Sequence, residues 1–112
     1  MAKLDQYRHC IQALLRKYAD GNELNPGEVE SELIVDTEHD HYQLVDVGWH
    51  QLERIYSCVM HFDIKDGKIW IQQNMTEIDV AQELVEMGVC PADIVLGLQA
   101  PYKRQYTGYG VG

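Results

Sequence analysis

The chain has 112 residues, of which 46% are hydrophobic and 24% charged, so its size and composition predict one folded domain over residues 1–112 and exclude extensive disorder. Asp and Glu total 18 against 9 Lys and Arg, which gives a net charge of -9. Because nucleic-acid binders need a basic face that neutralises phosphates, this balance argues against direct nucleic-acid binding. It suits a basic protein partner, or it simply keeps the protein soluble.

The first predicted element is an amphipathic helix close to the N-terminus. Apolar side chains recur at helical spacing from Leu4 to Tyr18. Gly21 suits a left-handed cap at the end of this helix, and the loop it begins continues through Pro26 and Gly27.

Four predicted strands follow the helix. They are Glu30 to Asp36, His41 to Trp49, Arg54 to Ile64 and Lys68 to Gln73. The links between them are short, and the last carries an Asp-Gly hairpin signal, so the strands are expected to form an antiparallel meander. Gly48 marks a bulge or a close approach of two backbones.

Alternation assigns the side chains of the third strand to two faces of the sheet. One face carries Tyr56, Cys58, Met60, Phe62 and Ile64. This face is predicted to point into the core, where Cys58 is expected to be an inert thiol. The opposite face carries His61 and Asp63.

The C-terminal third of the chain is predicted to contain two helices and a tail. Thr76 is the expected N-cap of the first helix, which Gly88 ends. A short helix from Ala92 to Leu98 follows, with Pro91 at its start. Residues 100–112 show little helical pattern and are predicted to be extended.

This order of elements predicts an α+β fold: an N-terminal helix, an antiparallel meander of four or more strands, two C-terminal helices and an extended tail. Helices are expected to cover one face of the sheet. The middle strands carry apolar residues on both faces, so we expect the second face to be partly buried in a homo-oligomer, a dimer, or in a hetero-complex.

Two groups of polar side chains are candidates for chemistry. His39 and His41 form a His-x-His pattern among carboxylates, which suits a transition metal but equally a solvated turn. His61 and Asp63 suit acid–base work but equally a structural hydrogen-bonded pair. The sequence shows no Ser-centred elbow, phosphate loop or HExxH motif. We therefore assign no catalytic, cofactor or metal residues, and keep a small enzyme or metal-binding protein as an alternative.

Aromatic side chains supply the candidate contact residues. Trp49 and Trp70, predicted on neighbouring strands, suit either an interface or the core. In the tail, tyrosines interleave with Lys103 and Arg104, which suits base stacking, anchoring on the sheet or a protein contact, and the acidic charge favours a protein contact. The candidate partner-binding residues are Trp49, Trp70, Tyr102, Arg104, Tyr106, Thr107 and Tyr109.

The cysteines and the hydropathy pattern predict a cytoplasmic protein. Cys10, Cys58 and Cys90 are odd in number and form no CxxC motif, unlike the disulfide set of a small secreted protein. The first residues contain no apolar segment typical of a secretory signal, and no apolar run is long enough to span a membrane.

Several stretches spread along the chain carry a family pattern. The most specific is the run from His61 to Gln72. The others are Leu4 to Arg8, the strand end Val47-Gly48-Trp49, the pair Thr76-Glu77, the runs Glu83 to Val89 and Asp93 to Gly97, and the block of Pro101 with Arg104 to Tyr109. In this order they resemble the XisI-like family of element excision controlling factors, known chiefly from cyanobacteria. Asn74-Met75 departs from the Asp-Gly that the family often has there.

The resemblance implies an accessory role in the programmed excision of a DNA element during heterocyst development. It also implies a partner of the XisH-like family, which has a nuclease-like fold, while a separate recombinase cuts the DNA. No catalytic residues are established for the family, so none are carried over. The leading hypothesis is therefore a protein-binding regulator. A second hypothesis, besides the small enzyme or metal-binding protein above, is an accessory factor that binds DNA directly through Lys103, Arg104 and the tail tyrosines.

Overall fold

Helices and strands occupy separate parts of the chain. The computed structural model describes residues 3–20 and 28–112. Its elements are α1 (Lys3–Asp20), β1 (Val29–Asp36), β2 (His41–His50), β3 (Glu53–Lys65), β4 (Lys68–Asn74), α2 (Val80–Glu86) and β5 (Ile94–Leu96), with 3₁₀ helices at Pro91–Asp93 and Pro101–Tyr106. This is the predicted α+β fold. The predicted cap at Gly21 and the loop over residues 21–27 lie outside the described residues.

The five strands form one sheet in the order β1-β2-β3-β4-β5. The first four are antiparallel, as predicted, and β5 is parallel to β4 because the chain crosses over through α2. The helix predicted from Ala92 to Leu98 is therefore wrong. Ile94 and Val95 are fully buried in β5, where β-branched side chains pack well against the neighbouring strand.

The core lies between the two α-helices and one face of the sheet. It contains Tyr7, Cys10, Ile11, Leu14 and Leu15 of α1, Tyr42, Leu44, Met60, Phe62, Ile69 and Ile71 of the sheet, and Val80, Ala81 and Leu84 of α2. Each fully buried large side chain contributes about 1.5–3 kcal/mol. The face of the sheet turned away from α1 and α2, called the open face below, is where the remaining strand side chains lie.

A β-bulge changes which side chains of β3 belong to the core. Leu44 pairs with Met60 but Val45 pairs with Cys58, so Val59 is an extra residue in β3. Beyond this bulge the alternation is reversed, and Tyr56 lies on the open face rather than beside Met60. The predicted core position of Cys58 is also wrong, because its thiol is half-buried on the open face.

Helix α2 begins later than predicted. Its N-cap is Asp79, whose carboxylate accepts a hydrogen bond from the Gln82 backbone N–H at 3.1 Å. Thr76 instead belongs to the preceding turn, where its hydroxyl donates to the Asn74 side chain at 2.6 Å. The helix ends just before Gly88, as predicted. Within residues 3–20 and 28–112, no helix combines the length and the apolar character needed to cross a membrane.

Candidate functional site

Strand pairing brings five polar side chains together on the open face. His41 pairs with Asp63, and Gln43 pairs with His61, across β2 and β3. Residues directly opposite in an antiparallel pair share a face of the sheet. Gln72 reaches the same place from β4, where a second register shift makes it the extra residue. These five residues are called the polar cluster below.

Asp63 is the centre of the polar cluster. Its Oδ1 accepts hydrogen bonds from His41 Nδ1 and His61 Nε2, each at 2.8 Å. Its Oδ2 accepts from Gln72 Nε2 at 3.2 Å, and Gln43 Nε2 approaches His61 Nδ1 at 3.4 Å. Asp63 is only 8% exposed. A buried carboxylate is costly unless it is paired, and here both of its oxygens have donors.

The hydrogen bonds also set the protonation of the cluster. Burial alone would raise the pKa of Asp63, but the hydrogen bonds from His41 and His61 outweigh it and lower that pKa below its ordinary value. The hydrogen bond to Asp63 in turn raises the pKa of His41. Asp63 is therefore a stable carboxylate, and the cluster provides a negative charge beneath two imidazoles.

The histidines fall into a different grouping from the His-x-His pattern of the sequence. His39 Nδ1 pairs with Asp36 Oδ2 at 2.9 Å within the β1–β2 turn, whereas His41 turns to Asp63. His41, His61 and Asp63 each offer a possible metal-ligating atom, and these three atoms all lie within 4.8 Å of one another. Each of the two candidate groups of the sequence thus contributes a histidine to the polar cluster. Of the His-x-His pattern only His41 reaches it, and His61 comes from the other group.

Trp70 lies beside the polar cluster and holds the C-terminal tail against the sheet. It pairs with Asp63 across β3 and β4, and its ring lies 4.3 Å from Lys65 Nζ and 5.2 Å from Arg104 Cζ. Arg104 also donates to the backbone carbonyls of Gln99 and Gly97, at 3.1 and 3.3 Å. Of the alternatives for this segment, the structure therefore shows anchoring on the sheet. In the described part of the chain, the buried Nε1 of Trp70 has no hydrogen-bond partner.

The rest of the tail is folded rather than extended, which corrects the prediction. Thr107 Oγ1 donates to the Arg104 carbonyl at 2.9 Å and accepts from the Tyr109 N–H at 3.1 Å. The Gly110 N–H then donates to the Ile94 carbonyl at 2.7 Å. Arg104, Thr107 and Tyr109 are thus structural supports for the tail.

Two tail tyrosines remain on the surface of the 3₁₀ helix Pro101–Tyr106. Tyr102 is exposed, and Tyr106 is 81% exposed. They are held on a short helix that Trp70 and Arg104 fix in place. Of the candidate contact residues in the tail, these two are therefore free to meet another molecule.

Trp49 lies on the open face at the far end of β2. It is 53% exposed and packs beside Arg54, whose Cζ is 5.6 Å from its ring centre. The prediction that Trp49 and Trp70 lie on neighbouring strands is wrong, because β3 lies between β2 and β4. Tyr56, 72% exposed, lies on the same face opposite Val47. Together with the half-buried Val47, these exposed rings form an apolar strip of Val47, Trp49 and Tyr56.

A match to a known protein family extends over almost the whole length of the chain. The family described as XisI protein matches residues 1–111. The chain belongs to the XisI family. Comparison with curated proteins finds no match.

Two solved structures from Anabaena variabilis are similar to this XisI family member. A XisI-like protein is 59% identical, with a TM-score of 0.94 over 98% of this chain and 100% of that one. The fdxN element excision controlling factor XisI is 33% identical, with a TM-score of 0.86 over 99% of this chain and 100% of that one. The resemblance identified in the sequence is thereby confirmed.

The stretch that carries the family resemblance most specifically coincides with the site. The run from His61 to Gln72 forms the end of β3 and most of β4. It contains His61, Asp63 and Gln72 of the polar cluster, and also Trp70. In this XisI family member, the stretch that carries the resemblance therefore also supplies three of the five residues of the polar cluster.

Proposed function

We propose that this chain is a non-catalytic, cytoplasmic accessory protein in the control of DNA element excision, and that it acts by binding a XisH-like partner with a nuclease-like fold. One observation carries the proposal. The chain is similar over 99% of its length to a protein described as the fdxN element excision controlling factor XisI. A controlling factor that works beside a separate recombinase needs contacts with other proteins rather than a reaction of its own.

The tail supports binding to a protein. Tyr102 and Tyr106 are exposed on the 3₁₀ helix Pro101–Tyr106, which Trp70 and Arg104 hold in place. Tyrosine is enriched at the energetic centres of protein interfaces, and an anchored segment loses little conformational entropy on binding. We therefore place the contact with the XisH-like partner on these two tyrosines.

The charge of the molecule supports the same kind of partner. A net charge of -9 complements a basic surface such as a nuclease-like protein presents to DNA. Binding there would cover the basic surface and compete with DNA. Such an association is expected to weaken as salt screens the charges.

Direct DNA binding by the tail is less well supported. Arg104 donates its hydrogen bonds to the carbonyls of Gln99 and Gly97 and stacks on Trp70. These contacts use the group that would otherwise bind phosphate or stack on a base. Lys103 alone adds little to a chain with an acidic surplus.

Co-expression with a XisH-like protein, followed by size-exclusion chromatography with light scattering, tests the proposal. We expect a stable complex that forms at micromolar concentration in low salt. Tyr102→Ser combined with Tyr106→Ser should weaken it at least about tenfold, because truncating interface aromatics typically costs more than 1 kcal/mol. Gln105→Ala, on the same 3₁₀ helix, is the matched control and should leave the complex unchanged.

Failure of the purified pair to associate at micromolar concentration in low salt would overturn the proposal. Salt-dependent binding of duplex DNA by the isolated chain at about 50 mM salt would instead favour the DNA-binding alternative.

A further inference from the structure

We propose that His41, His61 and Asp63 form a binding site for a divalent transition-metal ion on the open face of the sheet. The site is separate from the exposed tyrosines of the tail, and it lies at the point where β2, β3 and β4 meet. The two imidazoles and one carboxylate are supplied by neighbouring strands, which fix the three residues relative to one another.

The distances suit a metal ion after a small adjustment. His41 Nδ1 and His61 Nε2 are each 2.8 Å from Asp63 Oδ1. Nitrogen and oxygen ligands about 2.1 Å from a tetrahedral ion lie about 3.4 Å apart. Side-chain rotations that separate these atoms by about half an ångström would therefore make room for the ion, with no change in the backbone.

Neighbouring side chains orient the three ligating residues through hydrogen bonds, as the residues around the ligands do in known metal sites. Gln72 holds Asp63 Oδ2, and Gln43 approaches the Nδ1 of His61 that faces away from the carboxylate. When the metal takes Nε2 of His61, that imidazole carries its proton on Nδ1, and the Gln43 amide turns its oxygen to accept it. Such outer hydrogen bonds fix the tautomer and the ring orientation of a ligating histidine.

One side of the site is buried and negatively charged, and the other side is exposed to solvent. Asp63 is buried and its carboxylate is kept ionised, so it supplies negative charge to an incoming cation. The side chain of His41 is 58% exposed. Solvent therefore reaches the ion, and water completes its coordination shell. Two imidazoles and one carboxylate with open positions suit Zn²⁺, Co²⁺ or Ni²⁺, while Mg²⁺ and Ca²⁺ prefer oxygen ligands.

The test is a titration of the isolated chain, expressed without a His-tag and stripped with a chelator. We expect calorimetry to show one Zn²⁺ bound per chain, Co²⁺ to give a visible absorption band from its ligand field, and Zn²⁺ to raise the melting temperature. Mg²⁺ should give none of these signals. Because the partner is absent, failure of this titration leaves the proposed function standing, and failure of the partner assay leaves the metal site standing.

Variants assign the ion to these residues. His41→Asn and His61→Asn should each weaken Zn²⁺ binding at least about tenfold. Even the loss of a residue that only hydrogen-bonds to a metal ligand typically weakens binding by that much. His50→Asn, an exposed histidine on the same strand, is the matched control and should bind Zn²⁺ like the unmodified chain. His41 is exposed, so its variant is expected to fold, and circular dichroism checks this.

Two outcomes would overturn the site. One is a wild-type chain that gives neither binding heat nor a Co²⁺ band at metal concentrations up to about 1 mM. A dissociation constant above that value corresponds to less than about 4 kcal/mol of binding free energy. The other is a folded His41→Asn variant that binds Zn²⁺ as tightly as the wild type.

Discussion

A single tyrosine joins α1 to the segment that leads into β5. Tyr7 is buried, and its hydroxyl donates a 2.6 Å hydrogen bond to Asp93 Oδ2, which also pairs with Lys3 Nζ at 3.1 Å. Burial and this hydrogen bond raise the pKa of Tyr7 to about 12. The same hydrogen bond, aided by Lys3, lowers the pKa of Asp93 below its ordinary value. One contact therefore couples stability to pH at both ends of the scale.

The sign of each effect follows from linkage. Because the pKa of Asp93 is lowered by folding, its contribution is present above the ordinary value of 3.8 and is lost as the pH falls below it. Because the pKa of Tyr7 is raised by folding, its contribution is present below 10.0 and is lost as the pH rises from there to about 12. Tyr7→Phe is expected to cost about 1.5 kcal/mol near neutral pH and to flatten both limbs of the profile.

Urea unfolding between pH 3 and pH 11, in steps of about one unit, measures this profile. Tyr106→Phe removes a hydroxyl that is exposed on the surface, and it should leave the profile as it is in the wild type. A Tyr7→Phe variant whose free energy of unfolding keeps the wild-type dependence on pH at both ends would contradict the coupling.

Single residues also show how far the site can be predicted. His61 and Asp63 are two apart in one strand, so alternation alone predicts that they share a face. His41 is 22 positions from Asp63, and the contact depends on the register between β2 and β3. The register is set by the two turns on either side of β2. His39 is as close to His41 in the sequence as His61 is to Asp63, yet it lies in the turn, where alternation does not apply.

At the scale of elements, one glycine allows β1 to begin beside β2. A Cβ on Gly48 would lie 2.1 Å from the Glu28 carbonyl oxygen and 2.7 Å from Val29 Cα. The adjacent Trp49 N–H donates to the same carbonyl at 3.0 Å. The close backbone approach predicted for Gly48 is therefore confirmed.

Gly48→Ala is expected to destabilise the protein by about 2 kcal/mol, as overpacking against a rigid neighbour does. Both clashing atoms belong to the backbone, so relief requires β1 to move away from β2. Urea unfolding gives the free energy, and hydrogen exchange of the β1 amides shows where the pairing opens. Glu30→Ala, exposed on β1, is the control and should change the free energy by less than about 0.5 kcal/mol. An unchanged unfolding midpoint for Gly48→Ala would count against this account.

The elements that sequence reasoning missed share a physical cause. The strands β1 to β4 are long enough for alternation to reveal them, and their predicted bounds agree with the structure to within a residue. The strand β5 has three residues, too few for any period, and it exists through its pairing with β4. The bulge at Val59 leaves the apolar alternation from Cys58 to Phe62 intact, so only the partner strand shows that the faces are exchanged.

At the scale of the whole molecule, the two faces of the sheet differ in their surroundings and in the side chains they carry. The helices bury one face of the sheet, while the other carries the polar cluster towards the β1–β2 turn and the apolar strip towards the β2–β3 hairpin. Exposed aromatic and aliphatic side chains grouped on one face typically mark a contact surface. The tail tyrosines follow β5, at the opposite edge of the sheet from β1. The tail tyrosines and the apolar strip therefore lie on different parts of the molecule.

We propose that a second copy of this chain covers the apolar strip, so that the protein is a homodimer. A two-fold axis places the same residues of both copies in contact, and such a dimer would bury the exposed rings of Trp49 and Tyr56. Acidic side chains on β1, among them Glu30 and Glu32, oppose an edge-to-edge pairing of two such strands. We therefore expect the two copies to meet face to face through the strip, with Glu30, which lies opposite Val47 on the same face, at its border.

Sedimentation velocity over a range of concentrations tests the homodimer. We expect a dimer for the wild type and a shift to monomer for Trp49→Ser combined with Tyr56→Ser, with the dissociation constant raised at least about tenfold because two interface aromatics are removed. Met75→Ser also removes an exposed apolar side chain, but one outside the strip, so it should sediment like the wild type. A wild-type chain that remains strictly monomeric at the highest concentration would refute the dimer. Since the tail tyrosines are unchanged in the strip variant, the proposed XisH-like partner should still bind it, at half the mass per complex.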